Sequence, residues 1–103
     1  MSSPTQRTLA HLRKLGYPLV QVVERWNPYA RIRQDLFGII DVVAVGEDIV
    51  GVQATSYSNV TSRVTKITES AALPVLRKAG IRVVVHGWRK VRGRWALREV
   101  DIS

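Results

Sequence analysis

A carboxylate sits inside the most apolar stretch of the chain. Residues 38–45 read GIIDVVAV, a near-continuous β-branched run with Asp41 at its centre. Such a run signals a strand buried on both faces. An ionised carboxylate there must be paired, hydrogen-bonded or metal-bound, because burying it alone is too costly. Gly46-Glu47-Asp48 makes a turn and residues 49–54 (IVGVQA) return as a second strand, so the two form a β-hairpin. Pairing symmetric about position 47 sets Asp41 opposite Gln53, with Cβ atoms about 4.5–5.5 Å apart. Thr55 follows two residues on, on the same face as Gln53. An acid, an amide and a hydroxyl thus converge on an oxygen-rich patch, which suits Mg²⁺ or Mn²⁺ better than Zn²⁺. Asp35, six residues before Asp41, and Glu24, at the end of the preceding strand, are the acids that can join it.

The rest of the chain reads as alternating helix and strand. Ser3-Pro4-Thr5-Gln6 is an S-x-x-Q capping box with Pro at the first helical position. Residues 4–15 then form an amphipathic helix with Leu9, Leu12 and Leu15 on one face, closed by Gly16 and Pro18. Residues 18–25 (PLVQVVER) read as a strand, and Trp26-Asn27-Pro28-Tyr29 as a turn carrying two aromatics. Residues 58–80 read helical, capped by Ser58 or Asn59. Val60, Val64, Ile67 and Ala71 face a core, and Pro74 kinks or divides the helix. Two strands follow, IRVVVHGW and RWALREVDI, joined by a turn at Gly93. Trp95, Leu97 and Val100 anchor the last. The order is α-β-β-β-α-β-β, a mixed α/β fold in a single domain spanning 1–103.

Charge narrows the partner. The 103 residues hold 16 Lys and Arg against 8 Asp and Glu, for a net charge of +8, and the default partner of so basic a chain is a polyanion. Residues 1–34 carry six cations and one acid, and residues 58–103 ten cations and three acids. Between them, residues 35–57 carry four acids and no cation. Glu47 and Asp48 fit a turn. The acids left over are the ones a bridging divalent cation needs. Cations and aromatics interleave in His86-Gly87-Trp88-Arg89-Lys90-Val91-Arg92-Gly93-Arg94-Trp95, as in surfaces that grip phosphate and stack bases. Arg31, Arg33, Arg63 and Lys66 extend the basic surface. The absence of Cys excludes disulfides, thiolate zinc sites and cysteine nucleophiles. No apolar run approaches the roughly 20 residues of a membrane span, and MSSPTQRTLA lacks the pattern of a secretory signal. The expected location is cytoplasmic, the host cytoplasm for a phage-encoded protein.

The element order, with D-(x)11-Q-x-T across the central hairpin, resembles the PD-(D/E)xK nuclease superfamily. Among its members it is most similar to the small Holliday junction resolvase-like and phage-type endonucleases. The resemblance covers the chain in element order, and its sharp content lies in residues 33–55, RQDLFGIIDVVAVGEDIVGVQAT. It implies a restriction-endonuclease-like αβββαβ core with a mixed sheet and an extra C-terminal strand. It also implies a homodimer hydrolysing phosphodiester bonds of branched or structured DNA with Mg²⁺ or Mn²⁺. Asp41 matches the family's metal-binding Asp, Gln53 stands where Glu or Asp belongs, and Thr55 where Lys belongs. Glu24, or else Asp35, takes the part of the upstream acid, and Lys66 or Arg33 can supply the missing cation. With Gln-x-Thr in place of Glu-x-Lys, a catalytically inactive nucleic-acid-binding module on the same fold is the alternative.

Overall fold

A computed structural model describes residues 3–103. A five-stranded mixed sheet lies between one helix on one face and two on the other. Helix α1 spans Pro4–Lys14, with Ser3 as its N-cap: the Ser3 hydroxyl accepts from the Gln6 N–H at 3.2 Å. Strand β1 is Leu19–Val22, and a small separate sheet pairs β2 (Arg25–Asn27) with β3 (Ile32–Gln34). Strands β4 (Val42–Val45) and β5 (Ile49–Ser56) form the central hairpin. A 3₁₀ turn at Tyr57–Asn59 leads into α2 (Val60–Thr68) and α3 (Ala72–Lys78). The chain closes with β6 (Arg82–Val91) and β7 (Arg94–Asp101). The sheet order is β1-β4-β5-β6-β7, with β5 and β6 parallel and every other pair antiparallel. Among the described residues no helix is long and apolar enough to cross a membrane.

The period-2 alternation of strands decides which core each residue joins. Val42, Ala44, Val50, Val52 and Val84 pack with Leu12 under α1. Val83 and Val85 face the other way, into a cluster with Ile39, Ile40, Val60, Ile67, Leu73 and Leu76 under α2 and α3. Gly87 continues that second face, and the close approach requires it. A Cβ there would lie 2.1 Å from Val60 Cγ2 and 3.2 Å from the Tyr57 Cα. Between β6 and β7, Arg92 (φ 50) and Gly93 (φ 76) are both left-handed, as a tight two-residue hairpin turn demands.

Several expectations from sequence are corrected. The strand expected over 38–45 begins only at Val42. Phe37 (φ 55) and Gly38 (φ 77) turn the chain left-handed, and Leu36 bridges Ile40 across the turn. Phe37 costs about 1–2 kcal/mol in that conformation. Ile39 and Ile40, each 2% exposed, offset this with about 1.5–3 kcal/mol apiece. The strand expected over 18–25 is divided, and Trp26 and Asn27 belong to β2 rather than to a turn. The helix over 58–80 is divided, as Pro74 predicts; the break lies ahead of Pro74, which occupies the first turn of α3, where a missing N–H costs nothing. Asn59 holds the N-cap position of α2 but makes no cap bond; its amide donates to Ser56 instead. Leu15 and Ala71 are exposed rather than in the core.

Candidate functional site

Backbone geometry gathers the acids. The β4–β5 register pairs Val42 with Val52, and the Asp41 N–H continues the ladder to the Val52 carbonyl at 2.9 Å. Asp41 therefore lies beside Gln53, as the symmetric pairing predicts. The Asp41 carbonyl accepts from the Val23 and Glu24 N–H groups, at 2.8 and 3.2 Å, which brings Glu24 alongside. The Leu36–Ile40 bridge does the same for Asp35, since residues 35 and 41 are the next pair outward from it. Glu24, Asp35 and Asp41 thus offer carboxylate oxygens that all lie within 4.8 Å of one another.

Gln53 ties this cluster together. Its Nε2 donates to Asp41 Oδ2 at 2.5 Å and to Asp35 Oδ2 at 3.3 Å, and the Ala54 N–H donates to Asp41 Oδ2 at 3.0 Å. Cations close the rim: Arg33 meets Glu24 at 2.8 Å and Lys66 meets Asp35 at 3.5 Å. Arg63, one helical turn before Lys66 on α2, completes a cleft of about 300 Å³ lined by Glu24, Arg33, Asp35, Asp41, Gln53 and Lys66. Thr55 is buried on β5 and does not line the cleft.

The two central acids divide one proton between them. Burial pushes the Asp41 carboxyl up to about 8, and the adjacent Asp35 pushes the same way against the hydrogen bonds from Gln53 and Ala54. Burial also opposes ionisation of Asp35, but hydrogen bonds from Asp41 and Gln53 and the Lys66 charge outweigh it and hold Asp35 below its ordinary value. Protonated Asp41 donates to ionised Asp35. Ionised, Asp41 Oδ1 is a buried acceptor without a donor, and Gln53 Oε1 is another. Two orphaned oxygens within a set of oxygen donors fit a hard divalent cation, with no nitrogen or sulfur ligand to favour a softer one.

The basic segment near the C-terminus behaves differently. His86 and Trp88 point inward under α1, 0% and 8% exposed, rather than outward to a nucleic acid. The Trp88 indole N–H donates to the Thr8 hydroxyl at 2.9 Å. That hydroxyl meets His86 Nδ1 at 3.1 Å, and His86 Nε2 meets Glu99 at 2.8 Å. His11 stands edge-on to His86 with ring centroids 5.5 Å apart. Sequence spacing gives neither histidine a partner; the β6–β7 register, which sets His86 opposite Glu99, supplies one. Both His86 ring nitrogens are engaged, and burial lowers its pKa although Glu99 favours the charged form. The network ties α1 to β6 and β7. Arg89, Lys90, Arg92 and Arg94 remain exposed along the hairpin, with Arg89 over the Tyr57 ring at 4.1 Å. Arg31 lies in the β2–β3 loop, also exposed. Comparison of the chain with protein-family models, curated proteins and solved structures gives no match.

Proposed function

We propose that the chain is a metal-dependent DNA endonuclease of the PD-(D/E)xK type, resolvase-like and acting on branched or structured DNA as a homodimer. The observation that carries this reading is the convergence of Glu24, Asp35 and Asp41 around Gln53 at the open end of the central hairpin, rimmed by cations. The fold supports it: a helix, an antiparallel meander β1-β4-β5 and a parallel crossover through α2 and α3 to β6 follow the αβββαβ order, with β7 as the extra strand. Glu24, Asp35, Asp41 and Gln53 Oε1 would hold Mg²⁺ or Mn²⁺. Such an ion, when bound, polarises a phosphate and lowers the pKa of a water.

The residues of the chain supply the rest. Lys66 stands beside Asp35 and replaces, from α2, the cation that Thr55 does not provide on β5. Its ammonium, with the Arg63 and Arg33 guanidiniums, holds the phosphodiester and stabilises the charge that develops on it. The Gln53 amide fixes the orientation of Asp41 and Asp35 through its two donated hydrogen bonds. Arg89, Lys90, Arg92 and Arg94 contact the backbone farther out, and each phosphate neutralised steepens the salt dependence of binding by nearly one log unit.

Cleavage of supercoiled plasmid and a four-way junction with Mg²⁺ or Mn²⁺ tests the proposal, comparing the wild type with Asp41→Ala. Metal-dependent cutting lost in the variant is the expected result. Binding without any metal-dependent cutting by the wild type overturns it in favour of a non-catalytic binding module. That second reading draws on Gln53 and Thr55 standing in place of Glu and Lys.

A further inference from the structure

We infer that the β2–β3 hairpin is a stacking element for unpaired DNA bases beside the acidic cleft. The inference rests on the nuclease reading and deepens it, naming the substrate as DNA with unpaired bases next to the cut. Three-residue strands paired only with each other bury too little to stabilise themselves. This hairpin nonetheless exposes Trp26 (57%), Tyr29 (97%) and Ile32 (51%). Its tip is ordered by its own polar groups: the Asn27 side-chain oxygen accepts from the Tyr29 N–H at 3.0 Å and the Ala30 N–H at 3.2 Å. The exposed rings thus stand on a hydrogen-bonded tip and belong to neither core cluster.

Register and charge give the direction and the partner. Trp26 pairs with Arg33, and cross-strand partners project from the same face. Arg33 reaches Glu24 and lines the acidic cleft, so Trp26 stands on the cleft side. Residues 25–34 contain Arg25, Arg31 and Arg33 and no acid, which matches a polyanion. An aromatic face stacks on any base whose own face is free. Within duplex DNA those faces are covered by neighbouring pairs; at a branch, flap or single-stranded tail they are not. The β6–β7 segment cannot serve in this way, because Trp88 is interior and Trp95 is flanked by Arg7 and Lys90 at 4.9 and 5.9 Å.

The test is fluorescence anisotropy in EDTA, with three labelled DNAs: a plain duplex, the same duplex with a single-stranded tail, and a four-way junction. Trp26→Ala and Tyr29→Ala are expected to weaken binding to the tailed and branched DNA by about tenfold and to change duplex binding by less than about twofold, while Trp26→Phe retains most of the affinity. Unchanged far-UV circular dichroism and urea midpoints verify the fold of each variant. Equal loss on all three DNAs, no loss on any, or a wild type that does not prefer unpaired DNA overturns the inference. Binding is read without cleavage, so the two proposals fail separately. A wild type that selects tailed DNA through Trp26 yet cuts nothing with Mg²⁺ sinks the nuclease and leaves the stacking element standing.

Discussion

Replacing Asp41 by Asn removes one charge and little else. The Asn side-chain oxygen still accepts from Gln53 and the Ala54 N–H, and its amide takes the place of the proton that Asp41 shares with Asp35. Asp41 is 3% exposed, and its pKa rises from 3.8 to about 8, with burial the main cause and Asp35 the next. A raised carboxyl pKa means that the folded chain binds more protons than the unfolded one between those two values. The stability this group contributes is therefore full below about pH 4 and is lost as the pH climbs towards 8. One proton sets the steepest slope at about 1.4 kcal/mol per pH unit. The Asp35 shift has the opposite sign, but it acts only below the ordinary carboxylate range. Urea unfolding in EDTA from pH 7 to 9, above the range in which the lowered His86 pKa acts, should show the wild type weakening with pH and Asp41→Asn holding level. At pH 8 the variant should be the more stable by about 1–3 kcal/mol, the cost of a buried, incompletely satisfied polar group. Adding Mg²⁺ at pH 8 should restore stability to the wild type alone, since a ligand that binds only the folded state stabilises it. A wild type with flat stability over this range, or a variant less stable at pH 8, would refute the assignment of the proton to Asp41.

Other substitutions separate chemistry from packing. Lys66→Met should slow metal-dependent cleavage by about 100-fold or more while shifting DNA affinity only slightly, measured by single-turnover cleavage and by anisotropy in EDTA. Gln53→Glu removes both hydrogen bonds that Gln53 donates and adds a third carboxylate beside Asp35 and Asp41. It should lower the metal-free urea midpoint and tighten Mg²⁺ binding by calorimetry. Thr8→Val leaves the Trp88 indole N–H without its acceptor and should destabilise the chain by about 1–3 kcal/mol in urea, with the cleft unaffected. Gly87→Ala forces a Cβ against Val60 and should cost about 1–3 kcal/mol or more in the same assay.

The legible parts of the chain were those where one local rule and burial agreed. The β4–β5 hairpin declared itself through its apolar runs and its turn, and its symmetry alone set Asp41 against Gln53. The cap at Ser3 was equally plain. The β2–β3 hairpin was not: its strands are mostly exposed, so no alternation marks them, and Pro28 and Asn27 read as a simple turn. The start of β4 at Val42 is hidden in the sequence because Phe37 is a bulky residue in a left-handed conformation, held there by packing of Ile39 and Ile40 that only the folded chain reveals. The burial of His86 and Trp88 is not legible either, because a strand sequence fixes alternation, not which face meets a helix. Arg63 and Lys66, spaced to lie on one side of α2, were visible as a pair. Their reach to the acidic cleft depends on the crossover from β5 to β6.

The charges around Gln53 account for an amide at this position. Three carboxylates within 4.8 Å repel one another, and a fourth would raise that repulsion before any cation arrived. A Gln at this position donates to two of them and keeps one oxygen, Oε1, free of hydrogen bonds. It lowers the metal-free repulsion without giving up an oxygen ligand. On the proposed nuclease reading, burial also accounts for a cation on a helix: a lysine at residue 55 would press on β5 beneath α2, where Thr55 is buried. From α2 Lys66 reaches Asp35 with its ammonium and keeps nearly half of its side chain in water. On the proposed nuclease reading, an amide and a helix lysine stand where that family has a strand acid and a strand lysine. On this argument the double change Gln53→Glu with Lys66→Met should cut more slowly than Gln53→Glu alone, because the added acid binds metal but supplies no positive charge to the phosphate.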